Sequence, residues 1–171
     1  MNQSRNLRIE KVTLNIGAGK DQTKLEKGMK LLEMITGVKP VKTVTKKRIP
    51  GWGLRPGLPI GCKVTLRKDL ANETLKRLLN AKDNTLNESQ FDDNGSIAFG
   101  LEEYIDIQGV SYDPEIGIIG LEVCVTLERN GFRIKRRAMK KARIPKKHAI
   151  TKGESVEFMK NNFNVKLEEE E

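Results

Sequence analysis

The sequence predicts an α+β fold: a mainly antiparallel sheet with helices packed on one face, the other face open, and a basic C-terminal extension. Three observations lead there. Apolar and polar residues alternate at Val12, Leu14 and Ile16, at Ile60, Cys62, Val64 and Leu66, and from Ile119 to Leu127, which is the two-residue period of strands. Two stretches, about 23–36 and 69–81, space their apolar residues as amphipathic helices do. The polar partners in the first two strands are Lys11, Thr13 and Asn15, then Lys63, Thr65 and Arg67, all small or basic.

In chain order, the strand through Val12 ends at Gly17-Ala18-Gly19. The first helix turns Leu25, Met29, Leu32 and Ile35 to one face, with Glu26 placed to pair with Lys30 one turn on. Gly37 stands where a helix C-terminus favours positive φ. Residues 38–45 suit a short strand. Residues 46–59 hold three glycines and three prolines, which predicts a long irregular loop. After the second strand, Asp69 is placed to cap the second helix, with Ala71, Leu75, Leu78 and Leu79 inward. Residues 83–95 read as a loop, Ile97 and Phe99 as a short strand, and 112–115 as a turn. Asn130-Gly131 signals a hairpin that leads into a basic strand with Phe132 and Ile134. Residues 137–150 look irregular without a partner. Thr151 and Glu154 form a capping box opening a helix with Val156, Met159 and Phe163. The end, Glu168 to Glu171, is expected to be disordered.

The 171 residues suffice for one domain, 1–171, with one core. The formal net charge is +9, which favours an acidic polymer as partner. Its distribution says more. Residues 39–68 carry nine basic and no acidic side chains, and 129–152 carry eleven and none. Residues 69–128 between them carry three basic and thirteen acidic. Two acid-free basic segments repel themselves, and a polyanion relieves that while releasing counterions. Cys62 and Cys124 stand far apart, and with the lone His148 they are too few for a structural zinc site; reduced cysteines are expected. Nothing suggests a signal peptide or a membrane span, so the chain reads as intracellular, with no cofactor, metal or small-molecule substrate.

Gly17-Ala18-Gly19-Lys20 invites a nucleotide-binding reading and fails it. The dinucleotide fingerprint needs glycine at Gln22; a P-loop needs glycine at Leu14 and a hydroxyl at Asp21. His148 lies in a basic tail, so no nucleophile–base pair is evident. The loop 46–59 differs. Lys47, Arg48, Gly51, Trp52, Gly53 and Arg55 combine charge, a stacking surface and close backbone approach, which suits nucleic acid. The open sheet face suits contacts to RNA backbone and 2′-hydroxyls.

Several motifs then occur in one order. They are Thr13 to Gly19, Lys46 to Arg48 with Gly53 to Arg55, Pro59 to Arg67, Phe91 to Gly95, Phe99-Gly100, and Tyr112 to Gly117. Together they resemble the L-5 family of large-subunit ribosomal proteins over about residues 5–165, and the ending around Lys147-His148-Ala149-Ile150 is similar to archaeal and eukaryotic members. The resemblance implies a cytoplasmic, ribosomal protein of the central protuberance. Members bind 5S ribosomal RNA on the open sheet face, touch large-subunit ribosomal RNA and neighbouring proteins, reach the peptidyl-site tRNA with the loop, and help bridge to a small-subunit head protein. Asn15 and Thr65 match 5S-contacting positions of the family. The expected ribosomal RNA set is Lys11, Thr13, Asn15, Lys42, Lys63, Thr65, Arg67, Arg133, Lys135, Arg136 and Arg137. Val38 departs from the glutamine of many members, so an amide contact there is absent. Two competing readings remain: basic segments that bind an acidic protein surface, and a hydrolase with a hidden pocket.

Overall fold

The computed structural model describes residues 3–168. Seven strands are present among them: β1 (Leu7–Gly17), β2 (Val41–Val44), β3 (Pro59–Leu66), β4 (Thr85–Asn87), β5 (Ile97–Leu101), β6 (Leu121–Arg129) and β7 (Lys166–Glu168). Three α-helices accompany them: α1 (Gln22–Thr36), α2 (Lys68–Asn80) and α3 (Lys152–Phe163). Five strands form one sheet in the order β2-β3-β1-β6-β5, every pair antiparallel. The expected α+β fold is the observed one.

β1 lies at the centre and buries Val12, Leu14 and Ile16 against the helices. Cys62, Val64 and Leu66 of β3 and Val123, Val125 and Leu127 of β6 join them on that face. From above, α1 presents Leu25, Leu31, Leu32 and Ile35, and α2 presents Ala71, Leu75, Leu78 and Leu79. Met29, expected in the core, is only partly buried, and Leu31 takes the place on the apolar face that the expected set left out. Gly28 faces Ile16 and Cys62; a β-carbon there would come within 3.2 Å of both side chains, so α1 approaches the sheet closely at that point.

Helix ends follow local chemistry with two departures. Asp21 caps α1 by accepting from the Thr23 and Lys24 amides at 2.9 and 3.2 Å, and Gly37 closes it in the left-handed region. Asp69 does not cap α2. The helix starts one residue earlier, behind Arg67, with Asp69 inside its first turn. Lys30 does not turn to Glu26 but bonds Asp113 and Glu115, 2.8 and 2.6 Å away, tying the 102–120 excursion to α1. Three-dimensional proximity of two carboxylates outweighs one helical neighbour.

The later chain departs further. Asn130-Gly131 does not start a strand: Gly131, at φ 93, leads into a 3-10 helix, Phe132–Lys135, which buries Phe132. β1 already pairs with β6 along one edge up to Arg129, and the helix turn carries Phe132 into the core instead of along the other edge. The strand itself begins at Leu121, with Ile119 buried just before it. Residues 83–95 contain β4, which pairs in parallel with β7 from the far end of the chain, so local sequence carried no sign of it. Glu168, expected to be disordered, lies in β7; residues 169–171 lie outside the described residues.

The C-terminal segment is held by one guanidinium. Arg129, 3% exposed, pairs with Glu154 and donates to the carbonyls of His148 and Ala149 at 3.4 and 3.2 Å. Glu154 also accepts from the Thr151 amide at 3.0 Å, completing the expected capping box. Both ends of the 130–150 excursion therefore meet at Arg129. Desolvation raises the Glu154 pKa, but the Thr151 and Arg129 hydrogen bonds outweigh it and hold it below 4.5. Its contribution to stability is thus present above that value and is lost as pH falls through the lower, folded-state value. Glu154→Ala leaves the Arg129 charge buried with carbonyl partners alone, and should cost about 3 kcal/mol. Thr151→Ala removes only the cap and should cost about 1 kcal/mol. Urea unfolding of both variants at neutral pH and at pH 3 checks the pair; the difference between Glu154→Ala and the parent should shrink at the lower pH.

Candidate nucleic-acid interface

Burying one row of β1 turns the alternate row outward, since successive side chains of a strand point to opposite faces. Lys11, Thr13 and Asn15 are that row, all partly exposed. Register extends it across the sheet, because directly paired residues share a face. Thr13 lies between Thr65 and Cys124, and Asn15 between Lys63 and Glu122. Val41, 62% exposed, continues the row beyond Lys63, and Ala98 and Gly100 continue it on β5. No helix covers these residues. The result is an uncovered face of threonines, small residues, lysines, Asn15 and Glu122, with no aromatic ring to stack a base.

Two residues of this face were not anticipated. Glu122 accepts from the Asn15 side-chain amide at 3.2 Å, which engages one of its two N–H donors. Cys124 Sγ stands 3.9 Å from the other Glu122 oxygen; burial raises the thiol pKa, helped by the Glu122 charge. Glu122 was missed because it is more than a hundred residues from Asn15 in the chain. Register, which no local pattern reveals, puts it beside Asn15.

Lys42 does not join the open face. It pairs with Cys62, whose side chain lies under α1, so Lys42 projects from the helix-bearing side of an edge strand. Arg67, just past β3, reaches back to the Glu10 carbonyl at 3.3 Å. Arg133 and Lys135 are exposed on the 3-10 helix, with Lys135 Nζ 5.0 Å from the centre of the Phe132 ring. Arg136 pairs with Glu10 and Glu128, and Arg137 donates to the Lys140 carbonyl at 2.8 Å. His148 has a structural place: its Nε2 lies 2.9 Å from the Asn130 carbonyl and its ring meets Phe132 edge-on.

The loop 46–59 is more ordered than its glycines and prolines suggested. Thr45 and Leu58 close its neck at 3.0 Å, and Ile49 and Leu54 exchange two backbone bonds of 3.0 and 3.1 Å around a 3-10 turn, Pro50–Trp52. Leu54 is buried and anchors the tip. Lys46, Lys47, Arg48, Gly51, Gly53 and Arg55 are exposed, and Trp52 stands 68% exposed rather than folded onto the body. The Gly17–Lys20 turn braces this loop from below: the Ala18 and Gly19 amides donate to the Ile60 carbonyl at 2.9 and 3.0 Å. Lys20 crosses toward Gly53, where a β-carbon would come within 3.2 Å of its ammonium. The turn that resembled a phosphate loop thus supplies a cation to the basic loop.

Acidic groups are largely kept away. Glu102, Glu103, Asp106 and Glu115 are exposed on the 102–120 excursion, which Lys30 of α1 and Arg77 of α2 both hold on the helix side. Among the described residues no three His, Cys, Asp or Glu side chains gather as metal ligands, and no helix is long and apolar enough to cross a membrane.

Comparison with known proteins agrees with this arrangement. Residues 2–55 match the family described as ribosomal protein L5, and 59–167 match the C-terminus of the same ribosomal family. The boundary falls in the basic loop, yet β1 of the first segment lies between β3 and β6 of the second. Large ribosomal subunit protein uL5 of Sulfurisphaera tokodaii is 49% identical over 99% of this chain and 96% of that protein. The uL5 of Sulfolobus acidocaldarius is 47% identical over 97% and 93%, and that of Nanoarchaeum equitans 49% over 95% and 96%.

As the chain has a single tryptophan, its fluorescence reports the loop alone. Emission should be that of a water-exposed indole, with full accessibility to acrylamide; a blue-shifted, protected signal would place Trp52 against the body. Two family patterns covering nearly the whole chain and relatives near half identity together establish that this chain belongs to the ribosomal protein L5 family, an RNA-binding, structural and non-enzymatic family.

Proposed function

We propose that this protein is a structural constituent of the large ribosomal subunit that holds 5S ribosomal RNA in the central protuberance. It contacts large-subunit ribosomal RNA and neighbouring proteins there, presents the 46–59 loop to the peptidyl-site tRNA, and helps bridge to a small-subunit head protein. One observation carries the RNA reading: the open face is uncovered and lined by hydroxyls, an amide and lysines.

The division of labour follows from chemistry. Lysines and arginines neutralise phosphates and supply affinity that salt weakens. Thr13, Thr65 and Asn15 sit on backbone fixed by ladder bonds on both sides, so their hydrogen-bonding groups are held in place before RNA arrives. Groups so held supply fit rather than bulk attraction. Glu122, by accepting from the Asn15 amide, restrains the orientation of that side chain.

Affinity for 5S ribosomal RNA should exceed that for a size-matched structured RNA, and the gap should persist as salt rises. Equal affinities with equal salt loss would reduce the protein to a generic phosphate binder. Asn15→Ala should weaken 5S binding by about 1–3 kcal/mol with the melting temperature little changed, because its side chain lies outside the core. Deleting residues 50–57 should leave 5S binding intact, and a large loss would assign the loop to the 5S site instead.

A further inference from the structure

At the end of the open face two buried carboxylates gather three arginines. Glu10 is the extra residue of a β-bulge in β1, between Ile9, paired with Leu127, and Lys11, paired with Thr126. A bulge re-aims a side chain that regular alternation would point elsewhere. Glu128 continues the open-face row of Glu122, Cys124 and Thr126 and pairs with Arg8. Arg136, from the basic segment after β6, spans both acids, with Nη1 on Glu10 and Nη2 on Glu128. Arg8 sets Nε and Nη2 on one oxygen of Glu128, at 2.9 and 2.8 Å. Arg67 lays Nη1 on the Glu10 carbonyl at 3.3 Å and 3.8 Å from its carboxylate.

The burial is asymmetric. The Glu10 and Glu128 side chains are 6% and 9% exposed, while Arg8, Arg67 and Arg136 are 62%, 53% and 41% exposed. The acids lie beneath and the guanidiniums stand outward. Each guanidinium carries five N–H donors in a rigid plane, so Arg8 and Arg67 keep donors beyond those directed at the acids. The three line a cleft of about 720 Å³ beside the start of β1, bordered also by Lys68 and Lys76 of α2 and walled on its apolar side by Phe158 and Phe163 of α3, which makes five cations against two anions. Buried ion pairs are a poor source of stability compared with apolar packing; what they do well is hold a charged fork at one angle.

We propose that this cleft is a binding site for the phosphodiester backbone of RNA, with Arg8, Arg67 and Arg136 as its donors and Glu10 and Glu128 as positioning residues that orient them. The site rests on the RNA-binding reading above and adds a specific element to it. An RNA lying along Lys11 and Thr13 meets the guanidinium forks at the end of the same row. Bidentate guanidinium–phosphate bonds are short and directional, so their strength depends on forks already aimed.

The acids of this cleft should act with a sign opposite to that of ordinary surface acids. Removing an acidic charge from an RNA-binding surface ordinarily tightens binding. Here Glu10→Gln and Glu128→Gln should each weaken it. The measurement is equilibrium binding of the full chain and its variants to 5S ribosomal RNA and, separately, to large-subunit ribosomal RNA. The expected loss is about tenfold on at least one of the two for each glutamine variant. Arg67→Lys keeps the charge and loses the fork; it should show a similar loss with an unchanged salt slope. Circular dichroism and thermal melting accompany each variant; where a glutamine variant loses its fold, Arg67→Lys, altering a half-exposed side chain, decides. Unchanged or tighter binding of folded variants to both RNAs overturns the proposal. If the parent protein itself fails to prefer ribosomal RNA over a size-matched RNA, the functional reading falls and the cleft with it. If the parent discriminates and the variants match it, the cleft alone falls. Binding of oligoglutamate that Arg67→Lys abolishes, with RNA affinity untouched, overturns it in favour of an acidic protein partner.

Discussion

The structure depends on the strict alternation of β1. Val12, Leu14 and Ile16 lie beneath α1 and α2, and because the period of a strand is two, Lys11, Thr13 and Asn15 have nowhere to go but the opposite face. Hydrogen bonding to β3 and β6 on both edges leaves the strand no room to slip: a one-residue shift would put the lysine row into the core. The open face is therefore a direct consequence of the core, and core packing is what keeps its hydroxyl and amide groups in place.

Charge is sorted by the same architecture. The long excursion between β5 and β6 carries much of the exposed acid and is fastened on the helix side by Lys30 and Arg77. Lys30 lowers the Asp113 pKa through its hydrogen bond, so this fastening persists at neutral pH. On the open side, acids are few and occupied. Glu122 holds Asn15, and Glu10 and Glu128 hold arginines. A net charge of +9 thus understates the basic potential of one side and hides an acidic one.

The two acid-free basic segments share a solution to the same difficulty. Neither can form a core of its own, and each is closed at a neck. Thr45 and Leu58 do this for the loop, with buried Leu54 as a tip anchor. Arg129 does it for the segment after β6, aided by Phe132 and Ile150 beneath. A few fixed points restrain many like charges, which lowers the entropy lost when an RNA orders them.

Much of this was legible beforehand. Alternation identified β1, β3 and β6, helical spacing identified α1 and α2, and the capping box at Thr151 identified the start of α3, because those signals arise from neighbours within a few residues. The open face was legible for the same reason: it is the complement of the buried row. By itself the sequence determined the α+β class, the buried and exposed rows of the two first strands, and the placement of the basic segments. Tertiary structure alone decided the pairing of β4 with β7, the turn of Lys30 toward Asp113, the side on which Lys42 emerges, the meeting of Asn15 with Glu122, and the bulge that brings Glu10 under three arginines. Each of these joins residues far apart in the chain, and their contacts exist only once the sheet register has been set by the whole core.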